Sequence, residues 1–193
     1  MRSSTAQATA VTIAGLATGP LSRALAMRQA PALHVDLQKR VRAWAPRRSD
    51  IGRWASEALG RRAVNRELSV RLVGRAESRK LNAHYRGKDY ATNVLSFPAS
   101  PLAVAPASRS VRAEMARPLG DLVICPQVLR AEALAQNKTL RAHWAHLVVH
   151  GSLHLIGHDH ERDADARRME RREIAVLRRL GFANPYLVAR SSA

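Results

Sequence analysis

Along Leu68-Ser69-Val70-Arg71-Leu72-Val73 apolar and polar residues alternate, the period of a strand with one buried face. Leu68, Val70 and Leu72 then share that face, and Arg71 lies on the other with Ser69. A weaker alternation over residues 34–41 predicts an earlier strand. Val94 to Phe97 reads as a short strand stopped by Pro98. Residues 120–125 are continuously apolar after Asp121, which predicts a central strand covered on both faces. The three- and four-residue spacing of Ile51, Trp54, Ala55, Ala58 and Leu59 predicts a helix, capped by Ser49 or Asp50. Further helices are expected over residues 76–85, ended by Gly87, and over 127–136, 139–156 and 163–180, the last closed by Gly181. Residues 99–119, rich in proline and small side chains, are expected to form a long flexible loop beside the site. Strands early and helices late predict an α+β single domain, a small mixed sheet with helices packed over it.

The composition changes this picture in three ways. The net charge is +17, and the basic excess is almost all arginine. Arginine makes planar, bidentate contacts with phosphate, so a polyanionic partner is one reading and a solvated, compositionally biased surface the other. Cys125 is the only cysteine, which excludes an intrachain disulfide and a thiolate metal cluster; it reads as a small core residue. No run of 18 or more apolar residues is present, so no membrane span is expected. Residues 1–33 lack acids and loosely imitate a targeting segment. They read as a disordered leader or a start assigned too early, with Met27 as the true start. The folded domain is expected over 34–188, with 189–193 as a tail.

The chemistry is concentrated in His150-Gly151-Ser152-Leu153-His154-Leu155-Ile156-Gly157-His158-Asp159-His160. Four residues apart on a helix, His150 and His154 project from one face about 6 Å apart along the axis. Gly157 can adopt a left-handed conformation, end the helix and turn the chain so that His160 becomes a third ligand. Three histidines leave a fourth position open, the layout of a catalytic zinc site holding one ion at the end of the central helix. His146 continues the same stripe, but three ligands on one straight helix would spread too far for one ion. His143, His146 and His158 therefore read as hydrogen-bonded core residues. Asp159 is expected to orient a ligand or the final helix, and Arg86 and Lys88 to track a phosphate backbone. The spacing matches the long zinc motif of metzincin peptidases, yet Gly151 stands where those enzymes carry a glutamate base, which disfavours peptide hydrolysis.

Three further blocks complete the pattern: residues 85–98 (Tyr85-Arg86-Gly87-Lys88-Asp89 through Ser96-Phe97-Pro98), Gly120 to Cys125, and Ala142-His143-Trp144-Ala145-His146. Together with the histidine stretch they resemble the bacterial YbeY family, endoribonucleases also called rRNA maturation factors, over roughly residues 66–186. The family usually has Tyr or Trp where this chain has His158. The resemblance implies a single-strand-specific, metal-dependent endoribonuclease. It would act on the small-subunit ribosomal RNA 3′ end and in ribosome quality control, as a cytoplasmic protein contacting the small ribosomal subunit. It places the zinc ligands at His150, His154 and His160, a functional strand arginine at Arg71 and an acidic residue at Asp121. Since Arg71 must point away from the face that Val70 and Leu72 bury, it is expected to clamp the scissile phosphate and stabilise transition-state charge. Asp121 would orient a ligand imidazole or cap the strand. The alternatives are a ribosome-assembly factor with a mainly structural zinc, and a zinc metalloprotease.

Overall fold

The computed structural model describes residues 33–100, 117–160 and 162–187. Residues 1–32 of the expected leader, residues 101–116 of the expected loop and the whole expected tail, 189–193, lie outside these. Four strands, β1 (His34–Lys39), β2 (Arg66–Leu72), β3 (Val94–Pro98) and β4 (Arg117–Ile124), form one sheet in the order β1-β2-β4-β3. β1 and β4 run parallel to β2, and β3 runs antiparallel to β4. The helices are α1 (Arg48–Leu59), α2 (Arg75–Arg86), α3 (Pro126–Ala135), α4 (Leu140–Leu155) and α5 (Asp163–Arg179), with a 3-10 turn at Gly60–Ala63. This is the expected α+β arrangement with a mixed sheet.

Alternation along β2 decides which side each helix takes. Leu68, Val70 and Leu72 are fully buried beside Leu122 and Ile124 of β4, in a core shared with Trp54 of α1, Trp144 and Leu153 of α4, and Val176 and Leu177 of α5. The opposite face carries a smaller core of Val73, Leu95, Val123 and Cys125, against which Leu81 of α2 and Phe97 pack. β4 is thus covered on both sides, and Cys125, 1% exposed, is a core residue.

Three expectations are corrected. β1 stops at Lys39 rather than Val41. Neither Ser49 nor Asp50 caps α1, whose N-cap is Arg47 with no side-chain cap bond. Asp50, inside the first turn, is occupied instead by Arg141 of α4 at 2.8 Å, which holds its carboxyl below the ordinary range. The loop after β3 is shorter than expected, since β4 begins at Arg117 despite Pro118. The β2–β4 register shifts there, pairing Glu67 with Pro118 and Leu68 with Gly120. A bulge at the start of a strand is where a residue without an N–H is tolerated.

Candidate metal centre

α4 begins at Thr139, whose hydroxyl accepts from the Ala142 N–H at 3.2 Å, and runs across the sheet toward the edge strand β3. Its closeness to the sheet is set by Gly151: a Cβ there would lie 2.7 Å from Leu122 Cδ2 and 3.2 Å from Ser96 Oγ. The position after the first histidine is therefore packed against β4 and β3, and a glutamate there would have to displace Leu122. α4 ends at Leu155, and Gly157 adopts φ +88°, turning the chain so that His160 folds back. Asp159 Oδ1 accepts from the His160 N–H at 2.7 Å and holds this return loop.

One potential ligand nitrogen from each of His150, His154 and His160 lies within 4.8 Å of the other two. His150 Nε2 and His154 Nε2 are 3.2 Å apart. Two ligands on a tetrahedral ion with bonds of ~2.0–2.1 Å stand about 3.3 Å apart, so this pair already has the separation that one ion requires. The His150–His160 and His154–His160 ring centroids are 5.6 and 4.9 Å apart. Burial, then the neighbouring His150 and His160, push His154 down to about 4, so it is a neutral imidazole near neutral pH. The donor set fits a metal ion.

The residue that orients this set lies on α5. Glu173 is fully buried, and its Oε1 is 2.8 Å from His150 Nδ1 while Oε2 is 2.9 Å from His146 Nε2. Tyr186 donates its hydroxyl to the same Oε2. Burial alone would raise this carboxyl, but the hydrogen bonds from His146 and His150 outweigh it and hold Glu173 at about 2. An ionised carboxylate only accepts, so His150 must carry its proton on Nδ1, leaving Nε2 as the lone-pair donor. Tyr186 is pushed up by burial and by this carboxylate.

A cavity of about 650 Å³ opens beside the histidines, lined by Tyr85, Arg86, Lys88, Ser96, Pro98, His154 and residues 157–160. It sits at the β3 edge, where the C-terminal end of α2 meets that of α4. A larger cavity of about 910 Å³ adjoins His150 from the side of Glu132 and Tyr186. The acid in its lining, Glu132, is already engaged by His143 and Asn93.

The structure brings His150, His154, His160, Asp159, Arg86 and Lys88 together. It does not bring Arg71 or Asp121 into the cavity. By register both lie on the sheet face opposite α4, Arg71 ion-paired to Glu77 at 2.6 Å and Asp121 exposed. His143 and His146 are hydrogen-bonded as expected. His158 departs from expectation: it is half-buried and lines the cavity, because Gly157 has already carried it off the helix. Burial, with Arg172, Arg62 and Arg168 beside it, lowers its pKa. Glu173 was missed because it lies 23 positions from its partner on another helix.

The family model for Endoribonuclease YbeY matches residues 37–181. The chain belongs to the YbeY family. This YbeY-family chain is 50% identical over 160 residues to an Endoribonuclease YbeY of Azoarcus sp. strain BH72, covering 81% of this chain and 60% of that relative. It is 46% identical over 162 residues to one of Pseudomonas putida F1, covering 80% and 93%. Against one of Stutzerimonas stutzeri A1501 the identity is 48%, covering 80% and 91%. A Thermotoga maritima protein with a solution structure aligns over 80% of this YbeY-family chain at 21% identity and a TM-score of 0.45, too distant to add to these matches.

Proposed function

We propose that this chain is a zinc-dependent endoribonuclease that cuts single-stranded RNA, acting in the cytoplasm on small-subunit ribosomal RNA, at its 3′ end, and in ribosome quality control. The observation that carries the reading is the convergence of three imidazoles, two of which, His154 and His160, line a cavity rimmed by Arg86 and Lys88. Family membership supports RNA cleavage in ribosomal RNA processing, and the net charge of +17 suits a polyanion. Tyr85, 60% exposed on the cavity rim, offers a face on which an unstacked base can lie, which favours single strands over duplex. No described helix is long and apolar enough to cross a membrane. The catalytic domain is assigned to residues 34–188, enclosing the family match.

His150, His154 and His160 would hold one zinc ion, with Glu173 fixing the His150 tautomer and Asp159 the His160 loop. Bound there, the ion supplies Lewis acidity to the phosphodiester and lowers the pKa of a nucleophilic water. Arg86 and Lys88 draw the backbone into the cavity. Arg71, on the other sheet face, is assigned to RNA binding away from the scissile bond, and Asp121 beside it to the same face. Replacing Arg71 with Ala then raises KM several-fold with kcat unchanged; a fall in kcat alone would return it to the transition state. The packed Gly151 position opposes the peptidase alternative, and the open cavity opposes a merely structural zinc.

The test compares cleavage of a single-stranded RNA and its duplex by protein as purified, after chelation, and after zinc is restored. The reading expects cutting of the single strand only, lost on chelation and regained with zinc. Full activity in the chelated protein would overturn it. End-group analysis separates the two routes: 2′-hydroxyl attack leaves a cyclic phosphate, whereas water attack can leave a free 3′-hydroxyl.

A further inference from the structure

The return loop that delivers His160 and lines the cavity leads within three residues into α5. After Asp163 and Asp165 in its first turn, α5 carries Arg167, Arg168, Arg171 and Arg172 at exposed positions. Glu173 against His150 fixes the rotation and level of α5. Arg172 is the residue before it and Arg168 stands one turn earlier, about 6 Å along the axis on the same exposed side. From the 3-10 turn, Arg62 Nη1 donates to the Ile156 carbonyl at 3.0 Å, which anchors a third guanidinium at the end of α4, two residues before the half-buried His158.

We propose that Arg62, Arg168 and Arg172 form an RNA-backbone docking surface that takes the strand as it leaves the metal cavity past His158. Other exposed arginines of the fold are ion-paired, Arg141 with Asp50 and Arg179 with Glu57. Among the described residues no carboxylate lies within 4.0 Å of Arg62 or Arg172, and Arg168 has only Asp165 at 3.8 Å. Arg62 and Arg172 without a carboxylate partner, and Arg168 with only a distant one, carry self-repulsion that a polyanion relieves. The opposite rim carries Arg86, Lys88 and Tyr85, so cations grip the strand on both sides of the histidines, and two-sided anchoring fixes a phosphate between them. An extended RNA strand suits this continuity with the cavity, where a flat anionic lipid surface would engage the arginines alone. The proposal rests on the endoribonuclease reading for the cavity and adds the path of its substrate.

Fluorescence anisotropy with a labelled 20-nucleotide 2′-O-methyl single strand, over a salt series, tests it on the zinc-loaded protein. Cleavage of 20- and 5-nucleotide RNAs is followed in parallel. The double variant Arg168→Ser/Arg172→Ser is compared with wild type and with a charge-matched control, Arg48→Ser/Arg130→Ser, whose arginines are exposed on α1 and α3. The proposal expects the first variant to bind about 5-fold or more weakly at low salt, with the slope of log K against log salt reduced by about 1.4, or ~0.7 per lost contact. The control stays within about 2-fold, and the 5-nucleotide RNA is cut as before. Equal losses in the control would reduce the surface to diffuse charge and overturn the proposal. So would unchanged RNA affinity, including the case where the variant loses binding only to phosphatidylserine vesicles. If wild type cuts neither RNA while the variant alone loses affinity, the nuclease reading fails and the docking surface stands.

Discussion

Two side-chain positions decide what the histidine site can be. At Gly151 the missing side chain is a packing requirement: Leu122, fully buried, would sit 2.7 Å from any Cβ. Gly151→Glu therefore overpacks the helix–sheet contact and is expected to destabilise the fold by about 1–3 kcal/mol. It should lower the thermal midpoint without conferring peptidase activity; a stable variant that cleaves casein would contradict the packing account. At Glu173 the charge is the feature that matters. Its folded pKa of about 2 lies below the ordinary 4.5, so its stabilising contribution is present above pH 4.5 and is lost as pH falls from there toward 2. The shift corresponds to something on the order of 3 kcal/mol. Metal-free wild type should lose stability steeply through that window in urea titrations. Glu173→Gln should start lower at pH 7 and show a flatter dependence. An identical pH profile in the two proteins would remove Glu173 as the carboxylate that holds His146 and His150.

At the scale of elements, α4 carries the site and its entry is fixed by one cap. Thr139→Ala removes the hydroxyl that accepts from Ala142 and should cost about 1 kcal/mol, a shift of about 2–4 °C in the midpoint seen by calorimetry. The elements legible in the sequence are those whose cause is local. β2 shows its buried face in its own alternation, and Gly87 and Gly157 end α2 and α4 in the left-handed region as their positions indicate. What escaped depends on partners distant in the chain. Asp50 looked like a cap, but Arg141 claims it from α4. β4 begins in a segment that reads as loop because a bulge absorbs Pro118. Glu173 left one signal unread. It falls on the apolar stripe of Met169, Val176 and Leu177, where a carboxylate requires a buried partner, and the histidines of α4 are the available ones. For Arg71 the alternation gave the correct face, but nothing local shows that α4 packs on the other one.

For the whole molecule, the two helix ends at the β3 edge, the arginines of α5 and the net charge of +17 suit the proposed polyanion, held across the cavity beside the three histidines. The affinity for single-stranded RNA should fall linearly in log–log form with salt, and a salt-independent affinity would mean the charge is incidental. The most direct test of the central claim is to measure zinc content and single-stranded RNA cleavage on the same preparations of wild type and His154→Ala, with circular dichroism confirming that both are folded. One zinc per wild-type chain is predicted, with zinc and cleavage lost together in the variant. A folded, zinc-free His154→Ala protein that cuts RNA at the wild-type rate would contradict the account.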